Sequence, residues 1–241
     1  MSRVGALARA EGTLLRRDPM ALITAIGVPV IFVPLLAWSG IYDDNSGGLV
    51  AALIAVTILC SAYINLVTAL VARRESHVLK RLQTGELRDS EILLGTAAPA
   101  IALTWGQSLV GGVLVVALIG ALGGSDIPLA AVAVLLGTAV FVLLAIVSTA
   151  FTRTPELAQV TTLPGYLIPL FLSGVMFPLD AFPDWVQAVA PYSPLNPVVD
   201  LLTIALAGSR GPVLAPLAIL VGWLVLSGFA ARRWFRWDVR R

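Results

Sequence analysis

Lysine, histidine and cysteine each occur only once in this chain, as Lys80, His77 and Cys60. A lone cysteine excludes an intrachain disulfide. One histidine and no cysteine pair exclude H-E-x-x-H and the usual Cys/His zinc spacings, so no metal site is expected. His77 reads as a solvated or interface residue rather than a proton site. G-x-S-x-G is missing too, and no catalytic constellation takes its place. The single lysine sits in VLKRL and not in G-x-x-x-x-G-K-[ST]. The chain therefore cannot cradle nucleotide phosphates as a P-loop does, and no cofactor is expected in it. Charge is scarce as well: 12% of residues are Asp, Glu, Lys or Arg, against roughly 25% in a soluble domain.

What fills the chain is apolar, 58% of its residues. A hydrocarbon core about 30 Å thick needs around 20 apolar residues per helix. Six stretches qualify: 20–41, 48–72, 96–122, 127–151, 157–177 and 212–231. The expected fold class is an all-α integral membrane protein of six transmembrane helices, forming a single transmembrane domain over residues 1–241. The first stretch is too long for a signal-peptide core and lacks an A-x-A end, so it is read as a span. Pro29 and Pro34 are expected to kink the first span, and Pro164 and Pro169 the fifth. Such kinks are tolerated where neighbouring helices satisfy the freed carbonyls. Residues 2–18 read as an interfacial helix, with Val4, Leu7, Ala8, Leu14 and Leu15 on one face and Glu11 interrupting it. A basic tail that only sets topology is the alternative.

The bases fix the orientation. Six spans put fifteen of the sixteen Lys and Arg residues on one side, leaving only Arg210 on the other. The positive-inside rule makes that side cytoplasmic, with both termini there, in a plasma (inner) membrane protein. Trp38, Tyr42, Trp234 and Trp237 fall near the expected interfaces, as an aromatic belt would.

The spans themselves hold no Asp, Glu, Lys or Arg, so a carboxylate that binds a coupling ion at the midplane is not in evidence. Their polar residues are neutral. Asn65, Thr104, Gln107, Thr161 and Thr162 are the candidates to line a pathway. Interhelical hydrogen bonding, worth roughly 1 kcal/mol each, is the plainer reading of any one of them.

Two segments between spans stand out. The loop at 73–91 is the one long polar island. A helix starting at Arg73 would set Glu75, Val78, Leu79 and Leu82 on one face, with Arg74, His77, Lys80 and Arg81 around the rest, and Gly85 ending it. That ridge suits a socket on a soluble partner; resting on the bilayer is the alternative. The segment 179–211 is too long for a turn and too apolar for a solvated loop. Pro183 with Asp184 suits a helix start, Pro191 a stop, and Asn196-Pro197 an N-cap and first position, with Gly208 closing the second helix. Two short helices of this kind, including Trp185 and Asp200, describe a re-entrant extracellular hairpin. A loosely packed interfacial loop is the alternative.

These segments resemble the permeases of the ABC type-2 class. The resemblance is carried by R-E-x(2)-V-L-K-R-L at 74–82 and by residues 91–95 opening the third span. LSGVMFPL at 172–179, Phe182-Pro183-x-Trp185 and PYSPLNPVVD at 191–200 add to it, as does LLRRDP at 14–19 before the first span. It extends over nearly the whole chain, in order. One departure is visible: Thr84-Gly85-Glu86-Leu87 stands where many members have a Thr-Pro-Leu-like turn. The resemblance implies a coupling helix at 75–82 that docks on a separate ATPase, which would bind ATP and magnesium. It also implies an outer hairpin, and pairing with a second permease as homodimer or heterodimer. The implied function is ATP-driven export of an amphipathic or hydrophobic drug, antibiotic or lipid-like substrate. Alternatives are a lipid or glycan flippase subunit, an ion-coupled carrier, or a scaffold or intramembrane enzyme.

Overall fold

The computed structural model describes residues 46–76, 89–119, 126–152 and 154–234, together with Ile31, Leu35, Trp38 and Leu122. The expected interfacial helix, almost all of the first expected span with Pro29 and Pro34, and residues 77–88 of the polar loop lie outside the described residues. Among the described residues the structure is all-helical. Helix α1 (Ser46–Thr57) passes through a π-helical segment, Ile58–Ile64, into α2 (Asn65–Glu75). Then come α3 (Asp89–Ile119), α4 (Ile127–Thr149), α5 (Pro155–Thr161), α6 (Leu163–Phe171), α7 (Asp184–Val189), α8 (Asn196–Ala207) and α9 (Leu214–Trp234).

Four of these stretches are long and apolar enough to cross a membrane: Ser46–Glu75, Glu91–Ala117, Ile127–Thr149 and Leu214–Trp234. Ser46–Thr57, the first part of Ser46–Glu75, is apolar all round, as a helix enclosed by others should be. The apolar window of Ser46–Glu75 is 83% buried, against 22% for Glu91–Ala117 and Leu214–Trp234, so the last two flank a centre formed by the first. Helices α3, α4 and α8 all pack on the α1–α2 stretch, and α9 covers α4.

Local sequence explains the ends. Asp126 caps α4 by accepting the Leu129 N–H at 3.1 Å, and Pro128 sits in the first turn, where no N–H is needed. Thr154 caps α5 in the same way, accepting from Leu157. Gly208 closes α8 at φ 69°, a left-handed conformation that glycine adopts freely.

The fifth expected span, 157–177, is not one helix. It is α5 and α6, meeting at Thr162–Leu163, with Pro164 in the first turn of α6 and Pro169 inside it. Pro164 has no N–H to continue the α5 ladder, which is interrupted there as a kink would require. Thr162 itself stays helical, its N–H donating to Ala158 and its carbonyl accepting from Tyr166. The chain then turns at Leu172–Gly174, with Gly174 at φ 73°.

The second expected span is longer than its apolar run. Helix α2 continues through Arg73 and Arg74 to Glu75 and closes at Ser76. These three residues are its last turn rather than the opening of a separate cytoplasmic helix. Arg74 is correspondingly not on a solvated rim: it is 6% exposed.

Candidate functional site

The contacts between helices set a common depth scale. At one end, the Asp126 N–H opening α4 donates to the carbonyl of Ala205 near the end of α8. Gly47 at the start of α1 lies there too, so close to Leu206 and Ala207 that a Cβ would sit 2.4 Å from their backbone. At the other end, the Arg74 guanidinium donates to the carbonyls of Thr149, at 2.7 Å, and Thr152. Those carbonyls lie at and just beyond the end of α4, where the helix dipole favours a cation. Phe151 meets Trp234 at this same end, with ring centroids 6.4 Å apart.

Between these ends sits the start of α8. Val198 packs against Gly137 near the middle of α4, and the Trp223 indole near the middle of α9 donates to the carbonyl of Tyr192 at 2.9 Å. The chain from α7 into α8 thus dips to the middle of the bundle and returns along α8 to the Asp126 end. Asn196 does not cap α8 as its position suggests. The helix begins with Leu195 in the cap position, and the Asn196 amide donates to the carbonyl of Leu172 at 3.2 Å. It thereby ties the turn after α6 to the start of α8. Pro183 occupies the cap position of α7, Trp185 is 71% exposed, and Pro197 is buried. Helix α7 ends at Val189, and a 3-10 turn, Ala190–Tyr192, carries the chain through Pro191.

The polar residues proposed for a pathway separate into two groups. Gln107 is buried and accepts from the Ser61 hydroxyl at 2.6 Å, joining α3 to the π segment, and Thr104 lies one turn before it. Thr104 itself bonds back to the carbonyl of Ala100. Thr161 pairs with Thr152 at 2.8 Å beside the Arg74 anchor, and Thr162 bonds back to Ala158. From Ser61 to Arg74 is about 20 Å along the helix at about 1.5 Å per residue, so the two groups do not share a wall. Asn65 is half-buried at the end of the π segment, its N–H donating to Cys60.

A π segment widens the helix and breaks its usual ladder, often where function needs a local adjustment. Here it aims Tyr63 across the bundle to Ser148 of α4 at 2.9 Å and against Gly165 of α6. Arg74, Ser61 and the π segment escape sequence reading. Only Arg74 leaves a trace, as a base in the last turn of an apolar helix.

Of the partner-facing residues, Glu75 is exposed at the end of α2. Val78, Leu79, Lys80, Arg81 and Leu82 lie outside the described residues. Glu156 opens α5, and its own N–H, with the Thr154 hydroxyl, holds its carboxylate below the usual range.

One cavity of about 410 Å³ lies between α8 and the start of α9, lined by Asp200, Thr203, Ile204, Ser209, Pro216 and Ile219 among others. Enclosure by protein raises the Asp200 carboxyl above the usual range, although the residue keeps exposed surface in the cavity.

Long apolar helices around an enclosed centre define a multi-pass helical membrane protein. The sequence matches the ABC-2 type transporter family over residues 2–207, and the chain belongs to that family. It is thus a permease component of an ABC transporter. No curated protein matches the chain.

Proposed function

We propose that this chain is the permease subunit of an ATP-driven exporter. It would move an amphipathic or hydrophobic compound out of the cytoplasm or inner leaflet, powered by a separate ATPase. The observation that carries this reading is the family match across residues 2–207, in a chain with no P-loop of its own. On this reading the energy comes from a P-loop ATPase outside residues 1–241, and the basic loop at 73–91 is where it would arrive. A multidrug or antibiotic exporter fits the apolar and neutral polar character of the spans.

The full architecture proposed has six spans, with both termini cytoplasmic in the plasma membrane. The interfacial helix precedes them, and α7–α8 form an extracellular re-entrant hairpin. The dip of the chain at Tyr192–Asn196 to the level of Trp223 and Gly137 supports that hairpin. The 22% burial of Glu91–Ala117 and Leu214–Trp234 leaves apolar faces for lipid or for a second permease, identical or related.

Purification in mild detergent tests the class. The expected result is a stoichiometric partner carrying a P-loop. Leu79→Asp with Leu82→Asp should then abolish the response of nucleotide hydrolysis to substrate in the assembled complex. A normal response would remove the coupling role from this loop.

A further inference from the structure

The cavity between α8 and α9 is not used by the proposed coupling, and its chemistry is uneven in an informative way. Asp200, Thr203 and Ile204 lie at i, i+3 and i+4 and therefore share one face of α8. Opposite them, Pro216 and Ile219 present one face of α9, with Pro191 and Pro212 completing apolar walls. Ser209 adds a hydroxyl from the connecting loop. No Lys, Arg or His lines the cavity, and Asp200 has no ion-pair or hydrogen-bond partner among the described residues. Asp200 is itself exposed, so a charged ligand can reach its carboxylate, and among the described residues nothing beside these apolar walls offsets its charge.

The donor set narrows the occupant. A hard divalent cation takes six or more oxygens, and one carboxylate with two hydroxyls falls short of that. Inorganic anions are repelled by Asp200. A volume of 410 Å³, apolar walls and a single charge describe a site for a small organic molecule. We propose that the α8–α9 cavity binds an organic cation, an amine or onium group on a compact apolar body. Asp200 supplies the counter-charge, and Ile204, Pro216 and Ile219 supply the wall. This deepens the exporter reading by naming a substrate class. It rests on that reading only for the side from which the ligand enters or leaves, not for binding itself.

Binding is measured on the full chain in lipid nanodiscs without nucleotide, so that failure here is distinct from failure of ATPase coupling. The probes are tetraphenylphosphonium and tetraphenylborate, matched in size and opposite in charge. Equilibrium dialysis is corrected with empty nanodiscs. Saturable binding of the phosphonium is expected. Asp200→Asn should weaken it by about tenfold, as for removing one partner of a charge pair at the mouth of a pocket. Asp200→Glu should retain most of it. Ile219→Trp, which fills the cavity from α9 and leaves the carboxylate in place, should also lose it. Should Asp200→Asn fail to fold, Ile219→Trp decides alone. Three results would overturn the proposal: no saturable binding by the unaltered protein, Asp200→Asn binding as well as it, or Ile219→Trp leaving affinity unchanged. An equal Asp200 dependence for the borate would overturn it as well.

Discussion

Arg74 is the residue that ties together the end of the bundle where α2 and α4 finish. A guanidinium withdrawn from water is costly unless its donors are used; both terminal nitrogens of Arg74 are, while its Nε has no partner among the described residues. The two carbonyls it reaches, Thr149 and Thr152, lie at and just beyond the end of α4, and the first also accepts from the Thr152 N–H at 3.4 Å. It joins residues 75 and 78 positions apart, directly before the loop proposed to meet the ATPase. Hydrogen bonds from charged donors contribute about 1.5–3 kcal/mol each. Arg74→Ala should therefore lower stability by about 3 kcal/mol or more, read as a fall in thermal midpoint of the purified protein. Arg74→Lys should fall between the two, because one ammonium cannot reproduce the planar fork. A midpoint for Arg74→Ala equal to that of the unaltered protein would reduce the contact to an incidental one. None of this could be read from the sequence. Charge ends an apolar run, and the run Arg73-Arg74-Glu75 looks like the start of a soluble loop. That Thr149 lies alongside is a matter of tertiary packing, which periodicity does not encode.

Between elements, close approach is decided by a few glycines. A Cβ on Gly165 would collide with the Tyr63 hydroxyl oxygen and ring edge, so Tyr63 must shift before α6 can carry a side chain there. Gly165→Ala should destabilise the protein by about 1–3 kcal/mol, the range for overpacking a core. Tyr63→Phe removes the obstructing oxygen along with the Ser148 hydrogen bond. In a double-mutant cycle the pair should couple by at least about 1 kcal/mol, each change easing the other. Additive effects would place Tyr63 and α6 apart. Gly47 poses a harsher case, because the obstructing atoms are the backbone of α8 and cannot rotate away. Gly47→Ala should cost more than Gly106→Ala, where a Cβ meets nothing within 4 Å. Thermal midpoints of the two variants decide it. Much at this scale was legible. Ser46–Glu75, Ile127–Thr149 and Leu214–Trp234 lie close to the apolar runs that foretold them, because a membrane span is set by run length. The proline pair in 157–177 signalled disruption, yet whether it bends or breaks the helix depends on what fills the gap. The π segment has no compositional mark, since its residues would suit an α-helix equally well.

At the scale of the whole molecule, the helices define two opposite ends, and the proposed orientation rests on where the charges lie. Arg74, Arg232 and Arg233 lie toward the end where α2, α4 and α9 finish. Asp126 and the close of α8 mark the other. The positive-inside rule assigns the first end to the cytoplasm, which would put the α8–α9 cavity on the outer side and the 73–91 loop within reach of an ATPase. Cys60 is the sole cysteine, so Cys60→Ser gives a thiol-free background in which single cysteines report sidedness. In intact cells a membrane-impermeant maleimide should label Ser209→Cys and leave Glu75→Cys and Glu156→Cys unmodified. All three should react once the membrane is opened, because each of these positions is exposed. The reverse pattern would turn the molecule over. It would also place the coupling loop where no cytoplasmic ATPase could touch it, and the exporter reading would fall with the topology. Labelling of Ser209→Cys and Glu156→Cys together in intact cells would instead mean that α5 and α6 do not carry the chain across the membrane. The interruption at Pro164 would then mark a second re-entrant hairpin, and the span count would drop below six.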